Sequence, residues 1–312
     1  MALFTAREAV LGPLVDALGS LPSTESCDMR LSPGRSRAGG ALGPSLGRLG
    51  SLEVRLATTK RDVRQAQRLR FRVFYDEMAA APSPTALFLR RDCDRYDAVC
   101  DHLLVLDHAV ARTPLRATGP AIVGTYRLLR QEVAERRSGF YTAREYDVAP
   151  LLAAHPALRF LELGRSCVLK PYRTKRTVEL LWRGVWAYAR HHGIDVMMGC
   201  ASFEGADLEK LALPLSFLHH SARAPDPWRA RARPEHAVPM DRIDPEAIDA
   251  KAALKALPPL IKGYLRLGAM VGEGAVIDRQ FGTTDVLVIL PVAAIGRRYI
   301  DRFGPAEDRR AA

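Results

Sequence analysis

The stretch FLELGRSCVLKPYRTKRTVELLW, residues 160–182, constrains the fold more than any other part of the chain. Residues 160–169 read as a strand, a basic loop follows, and a helix begins at Thr177. Val178, Leu181, Val185 and Tyr188 recur on one face of a helix over 177–191, and residues 194–198 read as another strand. Upstream, Leu52, Val54 and Leu56 alternate with polar neighbours, as in a strand. Thr58 or Thr59 can cap a helix from about Lys60, in which Val63, Ala66, Leu69 and Val73 keep helical spacing. Residues 102–108 and 122–129 read as strands, and 141–154 as a loop with a short helix. This order of elements belongs to an α/β domain with a mixed sheet.

The remaining segments are less regular. Residues 31–50 hold six glycines, two prolines and no aromatic side chain. Such a segment cannot build a core, so residues 1–50 read as a mostly disordered leader with one short helix near 6–18. Residues 221–250 are rich in Pro, Arg and Ala and predict a long connection with at most one short strand near 238–240. From Leu254 the pattern predicts a helix to about Leu267, a glycine-rich turn, and a strand over 285–290. The longest apolar run, 286–295, contains Pro291 and is about half of the roughly 20 residues a membrane-spanning helix needs.

The net charge is +11, and only seven of the 46 basic residues are lysine. That excess favours an anionic partner: nucleic acid, an anionic membrane or an acidic protein. No nucleic-acid-binding motif accompanies it, and the acidic stretch 92–101 argues against that class. Five scattered cysteines without a CxxC pair support neither a disulfide framework nor a zinc ribbon. The N-terminus lacks a basic region before its apolar residues, so the chain reads as cytoplasmic.

Three places could carry chemistry. Lys170, Arg173, Lys175 and Arg176 crowd the start of the helix at Thr177, where exposed N–H groups and the dipole favour an anion such as a pyrophosphate or a phosphopantetheine. A solvated basic turn is the alternative. Glu162 stands in an apolar strand, where an unpaired carboxylate is costly to bury. Period 2 puts it and Arg165 on opposite faces of a regular strand, and a bulge between them would bring the two together. Glu162 is then a candidate general base with a raised pKa, or one half of a structural ion pair. Asp92, Asp94, Asp97 and Asp101 could hold a metal or an ammonium, or form a solvated loop facing Arg90, Arg91 and Arg95. His102-LLVL-Asp107 reads as a buried strand rather than a catalytic pair, and Cys200 lacks the accompanying histidine of a nucleophile.

Together these residues resemble GNAT-type N-acyltransferases, whose strand, basic loop and helix form an acyl-thioester site. Arg173 fits the first position of that loop, while Arg176 and Val178 stand where the family carries glycines. In this the chain resembles the branch that takes acyl groups from acyl carrier protein. Leu69-Arg70 with Val73-Phe74, Asp92-x-Asp94-x-Tyr96-Asp97, Gly124-x-x-Arg127-Leu128 and Glu162-x-x-Arg165 are similar to motifs of acyl-homoserine-lactone synthases. The tryptophan those enzymes carry after the first helix is missing around residues 78–82. A closer resemblance, over about residues 51–304, is to the L-ornithine Nα-acyltransferase family. It rests on FLELGRSCVLKPYRTKRTVELLWRG and LPPLIKGYLRLGAMVGEGAVIDRQFGTTDVLVIL.

That resemblance implies a GNAT-like α/β fold: a mixed, mostly antiparallel sheet flanked by helices over 51–312, with a family-specific part at 251–304. It implies transfer of a 3-hydroxyacyl group from acyl carrier protein to the α-amine of L-ornithine, with Glu162 and Arg165 catalytic. Asp94, Asp97 or Asp101 would hold the side-chain ammonium and Arg127 or Arg165 the carboxylate, with Arg70 beside them. Lys170, Arg173, Lys175, Arg176 and Thr177 would receive the pantetheine arm. Neither a metal nor a resident cofactor is expected, and no thiol protonator stands out. Peripheral contact with an anionic membrane is a further expectation. A lactone synthase is one alternative. Another is a non-catalytic membrane-surface protein using the stripe Leu208, Leu211, Leu215 and Leu218, which Pro214 interrupts and which ordinary core packing explains equally well.

Overall fold

The computed structural model describes residues 42–109 and 120–296. The chain enters through β1 (Gly47–Leu49) and β2 (Leu52–Leu56), then α1 (Lys60–Phe71), whose cap is Thr59. A π-helical turn over Arg72–Glu77 prolongs α1, and α2 (Pro84–Leu89) follows. Next come β3 (Asp101–Asp107), β4 (Ala121–Arg130), α3 (Gln131–Glu135), β5 (Tyr146–Asp147) and α4 (Ala149–Ala154). The centre is β6 (Phe160–Val168), α5 (Lys175–His192) and β7 (Val196–Glu204). After α6 (Leu208–Ala222) the chain forms β8 (Arg231–Ala232) and β9 (Ala237–Val238), then α7 (Ala250–Ala256) and α8 (Pro259–Arg266). It ends in β10 (Met270–Val271), β11 (Ala275–Asp278) and β12 (Thr283–Pro291).

One ten-stranded sheet runs β1-β2-β3-β4-β6-β7-β12-β11-β9, with β10 also on β12. Every named pair in it is antiparallel except β6 with β7, which α5 connects. A parallel pair needs such a crossover. The mixed, mostly antiparallel α/β sheet of the sequence reading is therefore present. Alternation sorts each strand between two layers. Leu103 and Val105 of β3 join the core under α5, α6 and α8, while Leu104 and Leu106 pack under α1. Gly184 lets α5 lie close to the sheet: a Cβ there would come within 2.7 Å of a Val54 methyl.

Several boundaries differ from the sequence reading. Order does not start at Ser51, because β1 pairs with β2 through Gly47↔Val54; residues 1–41 lie outside the described residues. The connection 221–250 holds two short strands rather than one, and both find partners, β8 on β5 and β9 on β11. The single helix expected from Leu254 is two, α7 and α8, separated at Pro258, which cannot continue a helix. The strand expected over 194–198 begins at Val196 and runs on to Glu204 beside β12. The C-terminal segment is thus part of the sheet, and its last expected residues, 297–304, lie outside the described ones. The leucine stripe of α6 is no lipid face: Leu215 and Leu218 are buried in the core, and Leu208 and Leu211 pack against it. The helix accommodates Pro214. No helix of the described residues is long and apolar enough to cross a membrane.

Candidate active site

β6 and β7 pair only through Phe160↔Val196, Leu161↔Met197 and Glu162↔Met198, and then separate. Each keeps its other neighbour, β4 or β12, so the two strands splay and a cleft opens between them. Gly199 sits where they part; a Cβ there would meet the Leu163 carbonyl oxygen at 2.2 Å, so a side chain cannot occupy the position without displacing backbone. The cleft encloses about 930 Å³, its open mouth included.

A β-bulge shapes its wall. Thr125 pairs with Cys167 and Arg127 with Gly164, so Arg165 and Ser166 together oppose Tyr126. Arg165 takes the left-handed φ of +50° that this needs. The bulge lies at Arg165–Ser166 rather than between Glu162 and Arg165, and it does not pair the two. Glu162 instead accepts N–H bonds from Tyr141 at 2.8 Å and Thr142 at 2.5 Å. The residue is 5% exposed, and burial raises its pKa above the usual carboxylate range, although those bonds and Arg127 pull the other way. A buried carboxylate with raised affinity for a proton, facing a cleft, has the properties of a general base.

Arg165 turns toward the acidic stretch, 3.3 Å from Asp92 and 3.7 Å from Asp94, and its guanidinium stacks over Tyr141 and Phe281. Arg70 is fully buried and donates to Asp92 and Asp97 at 2.7–2.8 Å. Arg127 donates to Asp94 at 2.7 Å and reaches Asp97 at 3.3 Å. Burial alone would raise the Asp97 pKa, but Arg70 and Arg127 hold it well below the usual range. Asp94 also caps the following turn through the N–H groups of Tyr96 and Asp97. Asp94 and Asp97, expected to hold an ammonium, are thus closed on arginines, and Arg70 lies behind them. Of these network residues, Arg127 and Arg165 reach the cleft. Asp101 lies apart: it accepts the Tyr188 hydroxyl at 2.5 Å and sits 3.6 Å from Arg130.

The basic loop is divided in a similar way. The helix starts at Lys175 rather than Thr177, because the Thr174 hydroxyl caps it by accepting the Thr177 N–H. Thr177 is fully buried, its hydroxyl 3.2 Å from that of Thr174. Arg173 donates to the last carbonyl of β6, at Val168, and pairs with Glu77. Lys170, Lys175 and Arg176 remain exposed cations beside the strand end.

The sequence reading missed three carboxylates. Glu145, Asp278 and Asp285 line the same cleft, with oxygens within 4.8 Å of one another. No described Lys, Arg or His stands within ion-pair distance of them, and Oε2 of Glu145 is enclosed without a hydrogen-bond partner. Burial, then the Asp285 charge, pushes Glu145 up to about 7; burial also raises Asp285, which accepts the Thr283 hydroxyl at 2.9 Å. Such a trio attracts an ammonium or a metal ion. Asp285 directly precedes the apolar run of β12, where a polar residue reads as a strand end and is less conspicuous than Glu162 inside its strand; Glu145 carries no local signal. Cys200 lies beside Glu145, and burial with that carboxylate raises its thiol pKa, which suits the rejection of a nucleophile. Two tyrosines also reach the cleft: the Tyr126 hydroxyl lies 2.8 Å from that of Tyr264 on α8.

Comparison with known proteins agrees with this architecture. Residues 69–183 match the acetyltransferase (GNAT) domain family. A curated protein of Rhizobium meliloti (strain 1021) named L-ornithine N(alpha)-acyltransferase is 57% identical, covering 83% of this chain and 86% of its own length. One of the same name from Brucella abortus (strain 2308) is 56% identical, covering 85% and 92%. Another from Rhodobacter capsulatus is 41% identical, covering 80% and 93%.

Proposed function

Because the chain belongs to the L-ornithine Nα-acyltransferase family, we propose that this acyltransferase joins an acyl group to the α-amine of L-ornithine and gives lyso-ornithine lipid. The observation that carries the mechanism is Glu162, buried where β6 and β7 part, with its proton affinity raised and both oxygens fixed by backbone amides.

The donor is a 3-hydroxyacyl thioester on the phosphopantetheine arm of acyl carrier protein. Its phosphate and the acidic carrier surface meet Lys170, Lys175 and Arg176, and the arm enters the gap between the splayed strands. The ornithine carboxylate faces Arg127 and Arg165, whose planar forks match it. The side-chain ammonium enters the trio Glu145, Asp278 and Asp285, which replaces Asp94, Asp97 and Asp101 in that role. Glu162 takes a proton from the α-ammonium, directly or through a water, and the free amine attacks the thioester carbon. The tetrahedral intermediate collapses to the amide as the carbon–sulfur bond breaks, and the proton the attacking nitrogen loses balances the one the departing thiolate takes up. Amine, thioester and base complete this reaction, so no metal or resident cofactor is assigned to it.

Incubating the protein with 3-hydroxyacyl carrier protein and ornithine, lysine or S-adenosylmethionine, with mass spectrometry of the products, tests this reading. An N-acyl ornithine supports it. An acyl-homoserine lactone, or no acylated amine, overturns it.

A further inference from the structure

Two surface features lie outside the cleft. The first is the tip of α2. Phe88 is 87% exposed and Leu87 55%, and with Leu254 they are the large apolar side chains exposed among the described residues. This tip has defined structure. Ser83 caps α2 by accepting the Ala86 N–H, Ala86 is buried, and Arg90 ends the helix in the left-handed conformation. The helix therefore holds a phenylalanine ring in water. The second feature is a row of cations. Arg61, Arg64, Arg68 and Arg72 follow one another at spacings of three and four along α1 and its continuation, and all four are exposed. Among the described residues none of the four has an ion-pair partner.

The segment that leaves α2 joins the two features, because it contacts α1 at Gln67 and Phe71, the chain neighbours of Arg68 and Arg72. The chain leaving α2 turns back over α1, with the Arg90 guanidinium 4.7 Å from the centre of the Phe71 ring. Arg91 donates to the Gln67 side chain at 3.4 Å and the Asp92 N–H to the Gln67 carbonyl at 3.1 Å.

We propose that the α2 tip and the arginine row form a docking surface for an anionic lipid bilayer. Leu87 and Phe88 enter the boundary between headgroups and acyl chains, and the arginines hold headgroup phosphates. An apolar wedge on a protruding turn beside a row of like charges has the composition of a membrane-surface element. An acidic protein is the competing occupant, and the carrier-protein KM measured without vesicles distinguishes the two.

The surface also adjoins the cleft mouth. The Ala81 N–H donates to the Gln280 carbonyl at 2.7 Å, and Phe74, Met78 and Phe281 line the cleft close by. A product with a long acyl chain would leave past these side chains toward the bilayer. That consequence rests on the acyl-transfer reading; the docking surface does not.

Flotation of the full chain with phosphatidylcholine vesicles, with and without phosphatidylglycerol, tests the proposal. The protein should float with the anionic vesicles and be released as salt rises. Combining Leu87→Ser and Phe88→Ser should weaken partition by about tenfold or more. Combining Arg64→Ala and Arg68→Ala should weaken it by roughly fivefold per arginine. Both variants should keep kcat and KM in lipid-free solution, which shows them folded. The proposal fails if the parent chain ignores anionic vesicles or if flotation survives both double substitutions. It also fails if the arginine substitutions raise the KM for acyl carrier protein without vesicles, because the row would then be a protein-docking surface. Flotation that responds as described, from a chain that acylates no amine, would uphold the surface and overturn the catalytic reading instead.

Discussion

Replacing Glu162 by glutamine separates a base from an anchor. Each carboxylate oxygen accepts one backbone N–H, from Tyr141 and from Thr142. Glutamine offers a single carbonyl oxygen, so its NH2 group must face one of these donors. One buried N–H then loses its acceptor, which costs about 1–3 kcal/mol. Relief of the desolvation that raises the Glu162 pKa offsets part of this. The expected fall in Tm is therefore modest, roughly 2–8 °C at about 2–4 °C per kcal/mol for a domain of this size. Turnover should fall far more, by about 10²–10⁴, the range for a lost general base. The pH dependence gives a second readout. A base with a raised pKa is protonated and inactive below that value, so the parent rate should drop as pH falls through it. The substituted glutamine cannot titrate, so this acid limb should vanish. Free-thiol release measured across pH, beside thermal melts, gives both numbers. Near-normal turnover at neutral pH together with a lowered Tm would leave Glu162 only as an anchor for the 141–142 turn and refute the mechanism.

Other outcomes test the rest of the cleft. Asp285→Asn should raise the ornithine KM by about 10–100-fold, as expected for a lost charge-assisted contact, with the donor KM little changed; a shift in the donor KM alone would place the ammonium elsewhere. Glu145 has a folded pKa of about 7, above the ordinary carboxylate value, so its protonated form favours folding. That contribution is full below about pH 4.3 and is lost as pH rises through 7, so Glu145→Gln should flatten the decline in unfolding free energy over this window by on the order of 1–3 kcal/mol, read as a flatter Tm against pH. Unchanged pH dependence of Tm would show that Glu145 titrates normally. Charge reversal at Lys175 and Arg176 should lower kcat/KM for acyl carrier protein by roughly tenfold each at low salt, and less at high salt, with the ornithine KM unchanged. Equal use of acyl-CoA and no salt dependence would make the loop a solvated turn.

The sequence was enough to place the local elements, since side-chain period is a local property. Residues 160–168 could only be a strand, and the α5 sequence only an amphipathic helix; that this helix lies over β1 to β4 rather than on β6 came from the fold. It also singled out Glu162, because a lone carboxylate in an apolar strand demands an explanation. Tertiary structure decided what that carboxylate touches. Its partners are the N–H groups of residues 141 and 142, some 20 positions upstream, which present no side-chain pattern to read. Pairing among Arg70, Asp92, Asp94, Asp97, Arg127 and Arg165 was equally hidden. Like and unlike charges crowd that region, and only the arrangement of α1, β4 and β6 chooses which arginine meets which aspartate. The trio was the hardest to see. Glu145 lies on a loop before β5, Asp278 ends β11 and Asp285 starts within β12, so three distant segments must converge before their charges interact and shift each other's protonation. The cleft itself exists because two neighbouring strands stop pairing after Glu162, with Gly199 admitting the Leu163 carbonyl. Periodicity announces that strands exist; where a pair ends depends on what each strand binds on its other edge.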